Sequence, residues 1–265
     1  MPKALQNDCY ATMGRNELSV FHATKPLHFI SKGNVKTGCF SFDIPPRTTC
    51  PGRTEECSRD CYAFNMERVY AGVRNKWLRN AVYRTNSFWV ADMIDTIPRG
   101  VQFRIHVSGD FDSVDYVKRW QRIALARPDV TFYAYTRSWR IVKLWPSLRA
   151  LARIPNVTLN LSTDDETGPP RSAVMKGLRW CYLTKTDNVP SWIRSTDIVF
   201  RSSHNGQKRR IKNAIAKGNV PPPYVTRLGG VVCPKETGKD VPKLSCSKCK
   251  LCVEKVVDGV RSKVS

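Results

Sequence analysis

The chain has 265 residues and carries 44 Lys and Arg against 22 Asp and Glu, a formal net charge of +22. At 41% hydrophobic and 25% charged residues it has the composition of a folded domain, which excludes a disordered tail or a fibrous protein. No stretch approaches the ~20 consecutive apolar residues of a membrane span, and the opening MPKALQNDCYATMGRNELSV lacks the apolar run of a secretory signal, so the expected setting is cytoplasmic.

In chain order, Gly38–Ile44 (GCFSFDI) is predicted as the first strand, followed by two helices over Tyr62–Ile97. Val101–Ser108 alternates apolar and polar residues as a half-buried strand does, and Ser113–Ala126 follows as a helix capped by Asp112 or Ser113. Val130–Thr136 is β-branched and aromatic, Ile141–Arg153 is helical, and Val157–Ser162 alternates again. Leu178–Thr184 and Asp197–Phe200 complete the predicted strands. Pro128 and Pro155 each stand just ahead of a strand, where a helix has already ended.

Strand, helix and strand at this spacing imply an α/β fold, a parallel sheet curved into a partial or full TIM-like (βα) barrel. Such barrels gather their chemistry at the C-terminal ends of the strands. The expected organisation is an N-terminal extension over residues 1–37, the barrel over 38–218 and a cysteine-rich tail over 219–265. The run PPPY and Gly229-Gly230 mark the passage into that tail.

The charge is uneven. Residues 201–265 hold 15 Lys and Arg against 4 Asp and Glu, a net +11. This favours a polyanionic partner, nucleic acid or a ribonucleoprotein, over a merely solvated basic surface. Trp77, Trp89, Trp120, Trp139 and Trp145 lie among arginines, but at helical and strand positions they are expected to be core.

Ten cysteines without a signal peptide point to a reducing compartment, where clustered thiols bind metal more often than they form disulfides. Cys50, Cys57 and Cys61 fall within 12 residues on the loop after the first strand. Three thiolates on a 4Fe–4S cluster leave one iron open for chemistry, and Arg53 and Arg59 lie nearby to favour thiolates. The alternatives are zinc completed by His22, His28 or His106, or free thiols. Cys233, Cys246, Cys249 and Cys252 suit a second 4Fe–4S cluster or zinc, whose binding would supply the tail's folding energy. Cys9, Cys39 and Cys181 read as buried small hydrophobes.

CPGRTEECSRDCYA, RIHVSGDF, FYAYTRSW, VTLNLSTDDE and the cysteine-rich end together resemble the phage gene-product-88-like proteins, over roughly Phe40 to Cys252. More distantly they resemble phage proteins in which a cysteine loop closing on C-Y-A opens a barrel like that of the radical S-adenosylmethionine (SAM) enzymes. That second resemblance implies SAM as a cofactor, with Cys50, Cys57 and Cys61 as cluster ligands. It implies Ser108, Gly109 and Asp110 at the cofactor ammonium, Asn160, Ser162 and Asp164 at the ribose, and Tyr62 beside the adenine. The spacing here is C-x6-C-x3-C, where those enzymes use C-x3-C-x2-C, and their glycine pair is reduced to Gly109. The implied function is a radical-SAM-like enzyme that modifies a nucleic acid, or a substrate bound to one, through a 5′-deoxyadenosyl radical. A flavodoxin or ferredoxin would supply the electron, the setting would be the host cytoplasm, and Tyr135, Arg137 and His204 would face the substrate. The alternative is a non-enzymatic, metal-stabilised protein that binds nucleic acid or a host protein.

Overall fold

Period-two alternation divides each short strand between two environments, and the computed structural model shows what covers each. It describes residues 29–33, 38–170, 177–184, 189–201, 231–233, 249–257 and 260–262. The elements are β1 (Ile30–Ser31), β2 (Phe40–Phe42), α1 (Glu55–Arg59), α2 (Tyr62–Val69), α3 (Ala71–Tyr83), α4 (Trp89–Thr96) and β3 (Gln102–Ile105). After these come α5 (Val114–Ala126), β4 (Thr131–Thr136), two 3-10 turns (Ser138–Arg140 and Val142–Leu144), α6 (Trp145–Arg153) and β5 (Val157–Thr163). β6 (Arg179–Thr184), β7 (Ile198–Arg201), β8 (Val231–Val232) and a hairpin of β9 (Lys255–Val257) and β10 (Val260–Ser262) follow.

The first eight strands form one sheet in the order β1 to β8, with β1 antiparallel to β2 and β2 to β8 parallel. The strand order never reverses, unlike that of a doubly wound sheet, so successive crossovers of one hand gather their helices on one face. Phe42, Phe103, Ile105, Phe132, Ala134, Val157, Leu159 and Leu161 meet the helices there. α5 contributes Tyr116, Val117, Trp120, Ile123 and Ala124, one stripe of a 3.6-residue period, and Ser113 caps it by accepting from Tyr116 N at 3.2 Å. Trp120 and Trp89 meet edge to face at 5.4 Å. Trp77 and Trp139 are also buried and Trp145 half-buried, as core residues should be.

The opposite face mixes polar side chains with small apolar clusters and is covered by the chain's own C-terminal segment. Thr158 Oγ1 donates to Val253 O at 2.7 Å and Asn160 Nδ2 to Cys252 O at 3.0 Å, while Arg179 donates to Leu251 O. Lys255 Nζ donates to Ile154 O at 2.9 Å.

Several expectations change. Among the described residues the seven parallel strands β2 to β8 follow the expected α/β order, and no pairing joins β8 back to β1 or β2, so closure into a full barrel is not shown. The stretch 62–97 holds three helices. Tyr70 is extended between the first two, and Asn86 Oδ1 accepts from Phe88 N at 2.9 Å, a local turn that competes with helix ahead of the third. Residues 30–31 and 231–232, expected in the extension and the tail, are strands of the main sheet. No helix among the described residues is long and apolar enough to cross a membrane.

Candidate functional site

Residues 43–61 leave the C-terminal end of β2 and are laced to the end of β3 by backbone and side chain. Ile44 N donates to Ser108 O at 3.1 Å, Ser108 Oγ to Ile44 O at 2.9 Å, and Val107 N to Asp43 Oδ1 at 2.7 Å. Gly109 has a φ of +86°, and a Cβ there would lie 2.2 Å from Ile44 Cγ1 and 2.8 Å from Thr49 Oγ1. Only glycine allows that turn and that contact together.

Three cysteines punctuate this segment. Cys50 closes a turn by donating its N–H to Arg47 O at 3.3 Å. Cys57 lies in α1, whose N-cap Thr54 accepts from Cys57 N at 2.9 Å. Cys61 caps α2, its Sγ accepting from Phe64 N at 3.4 Å. Burial pushes the Cys50 thiol up, and the neighbouring Asp110, Cys57 and Cys61 add to this. Burial also raises Cys57, opposed by the Arg137 guanidinium. The thiols therefore share one electrostatic neighbourhood, and a cation in it would favour their thiolates. As placed, no three His, Cys, Asp or Glu side chains among the described residues converge as a metal-ligating group.

The loop is tied to β4 and β5 by Arg137 and Asp164, expected instead at substrate and ribose, together with Thr54, Glu166 and Arg140, which sequence reasoning overlooked. Thr54 Oγ1 donates to Asp164 Oδ2 at 2.8 Å, and Arg137 NH1 reaches the same oxygen at 2.5 Å. Asp164 is 0% exposed, so this is a buried ion pair. The Glu166 carboxylate accepts from Glu55 N at 3.3 Å and Glu56 N at 3.1 Å, where the helix end favours an anion. Arg140 NH1 donates to Gly52 O at 3.0 Å, and a Cβ on Gly52 would fall 2.0 Å from Arg137 O. Threonine ahead of two glutamates was a readable N-cap signal; the partners 110 residues away were not.

The residues implied at the cofactor take varied places. Ser108 and Gly109 hold the cysteine loop against β3. Asp110 is saturated within the protein: Oδ1 accepts from Thr136 Oγ1 at 2.6 Å and Phe111 N at 2.7 Å, while Oδ2 accepts from Arg137 N at 2.7 Å and Ser138 N at 3.2 Å. Tyr62 is half exposed, and its hydroxyl donates to Val107 O. Ser162 accepts from Trp139 Nε1 through its carbonyl at 2.9 Å. Asn160 lies beneath Cys252 on the covered face, away from its implied place among the rim residues.

Of the residues expected to face substrate, Arg137 is spent on Asp164. Tyr135 packs on the covered face against Phe200, with the Arg104 guanidinium 5.0 Å from its ring centroid. His204 lies outside the described residues, as do His22, His28 and Cys246. His106 is buried among Phe111, Tyr116 and Trp120 with Nε2 2.7 Å from the Tyr116 hydroxyl, so it sits in the helix-side core and does not complete a zinc site at the loop. Burial and the nearby Arg84 and Arg104 lower its pKa well below the usual histidine range. Arg53, Arg59 and Arg140 stay exposed around the loop, beside a shallow depression lined by Pro51, Arg53, Thr54, Glu55 and Ser58.

Comparison with known proteins places this architecture. The chain is 30% identical over 180 residues to the Gene 88 protein of Mycobacterium phage L5, covering 62% of this chain and 74% of that one. It is 29% identical over 184 residues to the Gene 88 protein of Mycobacterium phage D29, covering 62% and 73%. No solved structure gives a significant match. The family model described as Gene product 88 matches residues 9–255, spanning the cysteine loop, the whole sheet and the segment that covers its opposite face. The chain therefore belongs to the gene product 88 family of phage proteins.

Proposed function

We propose that the chain is an iron–sulfur, radical-SAM-like enzyme acting on a nucleic acid or a substrate bound to one. The observation that carries this reading is the presence of Cys50, Cys57 and Cys61 on one braced loop at the C-terminal end of the first parallel strand. Active sites of βα folds stand at that end. The donor chemistry fits a cluster: three thiols, no fourth cysteine on the loop, and a guanidinium favouring charge on Cys57. Cys50, Cys57 and Cys61 would hold it. When bound, such a group supplies the electron that cleaves SAM and so permits hydrogen abstraction from a substrate.

The chain's own residues do the positioning. Gly109 lets the loop close on β3, Asp110 locks the ends of β3 and β4 together, and Thr54 with Arg137 fixes α1 over Asp164. The exposed Arg53, Arg59 and Arg140 offer cations to a phosphate backbone at the mouth.

The test is anaerobic reconstitution, with iron and sulfide counted in the wild type and in a Cys50, Cys57 and Cys61 triple serine variant. The wild type is then assayed for 5′-deoxyadenosine with a strong reductant. Loss of one cluster in the variant and nucleoside formation by the wild type are expected. Unchanged iron and sulfide in the variant defeats the reading. A cluster without nucleoside favours a second one, a metal-stabilised module that binds nucleic acid or a host protein. The internal saturation of Asp110 and Asp164 supports that alternative, because carboxylates spent on strand ends are less free for a cofactor.

A further inference from the structure

The covered face of the sheet gathers a second set of thiols, and its membership differs from the one the tail spacing implies. Cys181 of β6, Cys233 just beyond β8, and Cys249 and Cys252 of the C-terminal segment pack around Ile198 and Leu251. Cys181 and Cys233 are 3% and 8% exposed. Cys252 and Cys233 are electrostatic neighbours of Cys181.

Two further observations point to a ligand here. Lys250, between Cys249 and Cys252, is held at a φ of +57°, a conformation costly for a lysine. The turn closes through Val253 N and Glu254 N, both donating to Lys250 O, and it sets two thiols three residues apart against the same patch. Such C-x2-C pairs are the usual half of a thiolate metal site. Arg179, two residues before Cys181 and so on the same face, is 1% exposed. Its Nε and NH2 make no hydrogen bond, and a Glu254 oxygen stands 3.8 Å away. A buried guanidinium so weakly compensated calls for negative charge beside it. Four thiolates around a divalent ion carry a net charge of about −2.

We infer that Cys181, Cys233, Cys249 and Cys252 form one tetrathiolate metal site, with Arg179 as its charge-compensating neighbour, that fastens the C-terminal segment to the sheet. Cys181 is thus a ligand contributed by the sheet itself. As placed the four do not yet form a ligating group, so binding draws the thiols together. Cys39 is not a member, since it packs in a separate cluster with Tyr133 and Val253, its Sγ 3.0 Å from the Tyr133 hydroxyl. The inference does not depend on what the rim loop holds.

The test uses the full-length chain with Cys50, Cys57 and Cys61 replaced by serine, so that the rim cannot contribute, and cobalt(II) as an optical probe with zinc(II) as competitor. The parent should show the visible bands of tetrahedral thiolate cobalt at one ion per chain. Cys181→Ser should weaken binding at least ~100-fold, since even residues behind metal ligands cost ten- to a hundredfold. Cys246→Ser and Cys39→Ser should leave it unchanged. Cys181→His, which keeps a donor for either ion, should retain one ion with a shifted spectrum, and this guards against a serine variant that merely fails to fold. Full binding by Cys181→Ser together with loss in Cys246→Ser would overturn the assignment, as would a parent with no thiolate bands.

Discussion

Asp110 shows how burial and hydrogen bonding compete on one carboxyl. Burial pushes it up to about 6, although Thr136, Arg137, Phe111 and Ser138 all donate to it and pull the other way. The folded protein therefore holds this proton more tightly than the unfolded chain, whose aspartates titrate near ~3.9. The stability the group contributes is complete below about pH 4 and is lost as pH rises through about 6. The loss totals about 3 kcal/mol at ~1.4 kcal/mol per pH unit. Wild type minus Asp110→Asn, compared by urea unfolding, should fall by about that much between pH 4 and 7; a flat difference would refute it. Asp43 is raised with the same sign but is present in both proteins and cancels. Arg137 argues the same point for an ion pair. Arg137→Met strands a carboxylate that is 0% exposed and should cost ~3–5 kcal/mol, whereas Arg137→Met with Asp164→Asn should recover part of that. Additive single and double variants in a denaturant-based cycle would rule the coupling out. Gly109→Ala adds a methyl 2.2 Å from Ile44 Cγ1 at a positive φ, and the thermal midpoint should drop by several degrees.

At the scale of elements, β2 to β7 were legible because each divides its residues between two faces: Phe132 and Ala134 meet the helices while Tyr133 and Tyr135 do not. β1 and β8, two residues each, offer too few for a pattern. The helix stripe of α5 and its cap at Ser113 were legible for the same local reason. What covers the opposite face was not. Thr158, Asn160 and Arg179 read as ordinary alternating polar positions, and nothing local says that their partners lie some 70 to 95 residues downstream. The rim was half legible. The cysteines and Gly109 announce themselves by type and spacing, whereas the saturation of Asp110 depends on the backbone of another strand end. Because Leu251, Val253 and Val256 are buried, ending the chain before residue 249 should destabilise the whole sheet. At ~1.5–3 kcal/mol per buried side chain the loss is at least about 4 kcal/mol. A truncated chain that unfolds at the same urea concentration as the full one would show the segment to be dispensable.

For the whole molecule, the charge of +22 forecasts binding to polyanions that weakens steeply with salt. Replacing Arg53, Arg59 and Arg140 with glutamine should lower the slope of log affinity against log salt on duplex DNA by up to about 3, at ~0.9 per phosphate contact. An unchanged slope would take the phosphate track away from the cysteine loop. That loop has a last consequence, which concerns timing. Its backbone is held by Gly109 against Ile44, by Thr54 on Asp164, by Glu166 on α1 and by Arg140 on Gly52, and none of these contacts involves a thiol. On the proposed reading, a metal group arriving there would find the backbone already arranged, and its uptake and removal would be events of the finished fold. Cys181 and Cys233 lie instead under the C-terminal segment, and an ion at the site inferred there would have to arrive before that segment docks or wait until it lifts. With both proposed sites loaded, a chelator added to the native protein should therefore empty the rim quickly and the inner face only at the pace of local opening.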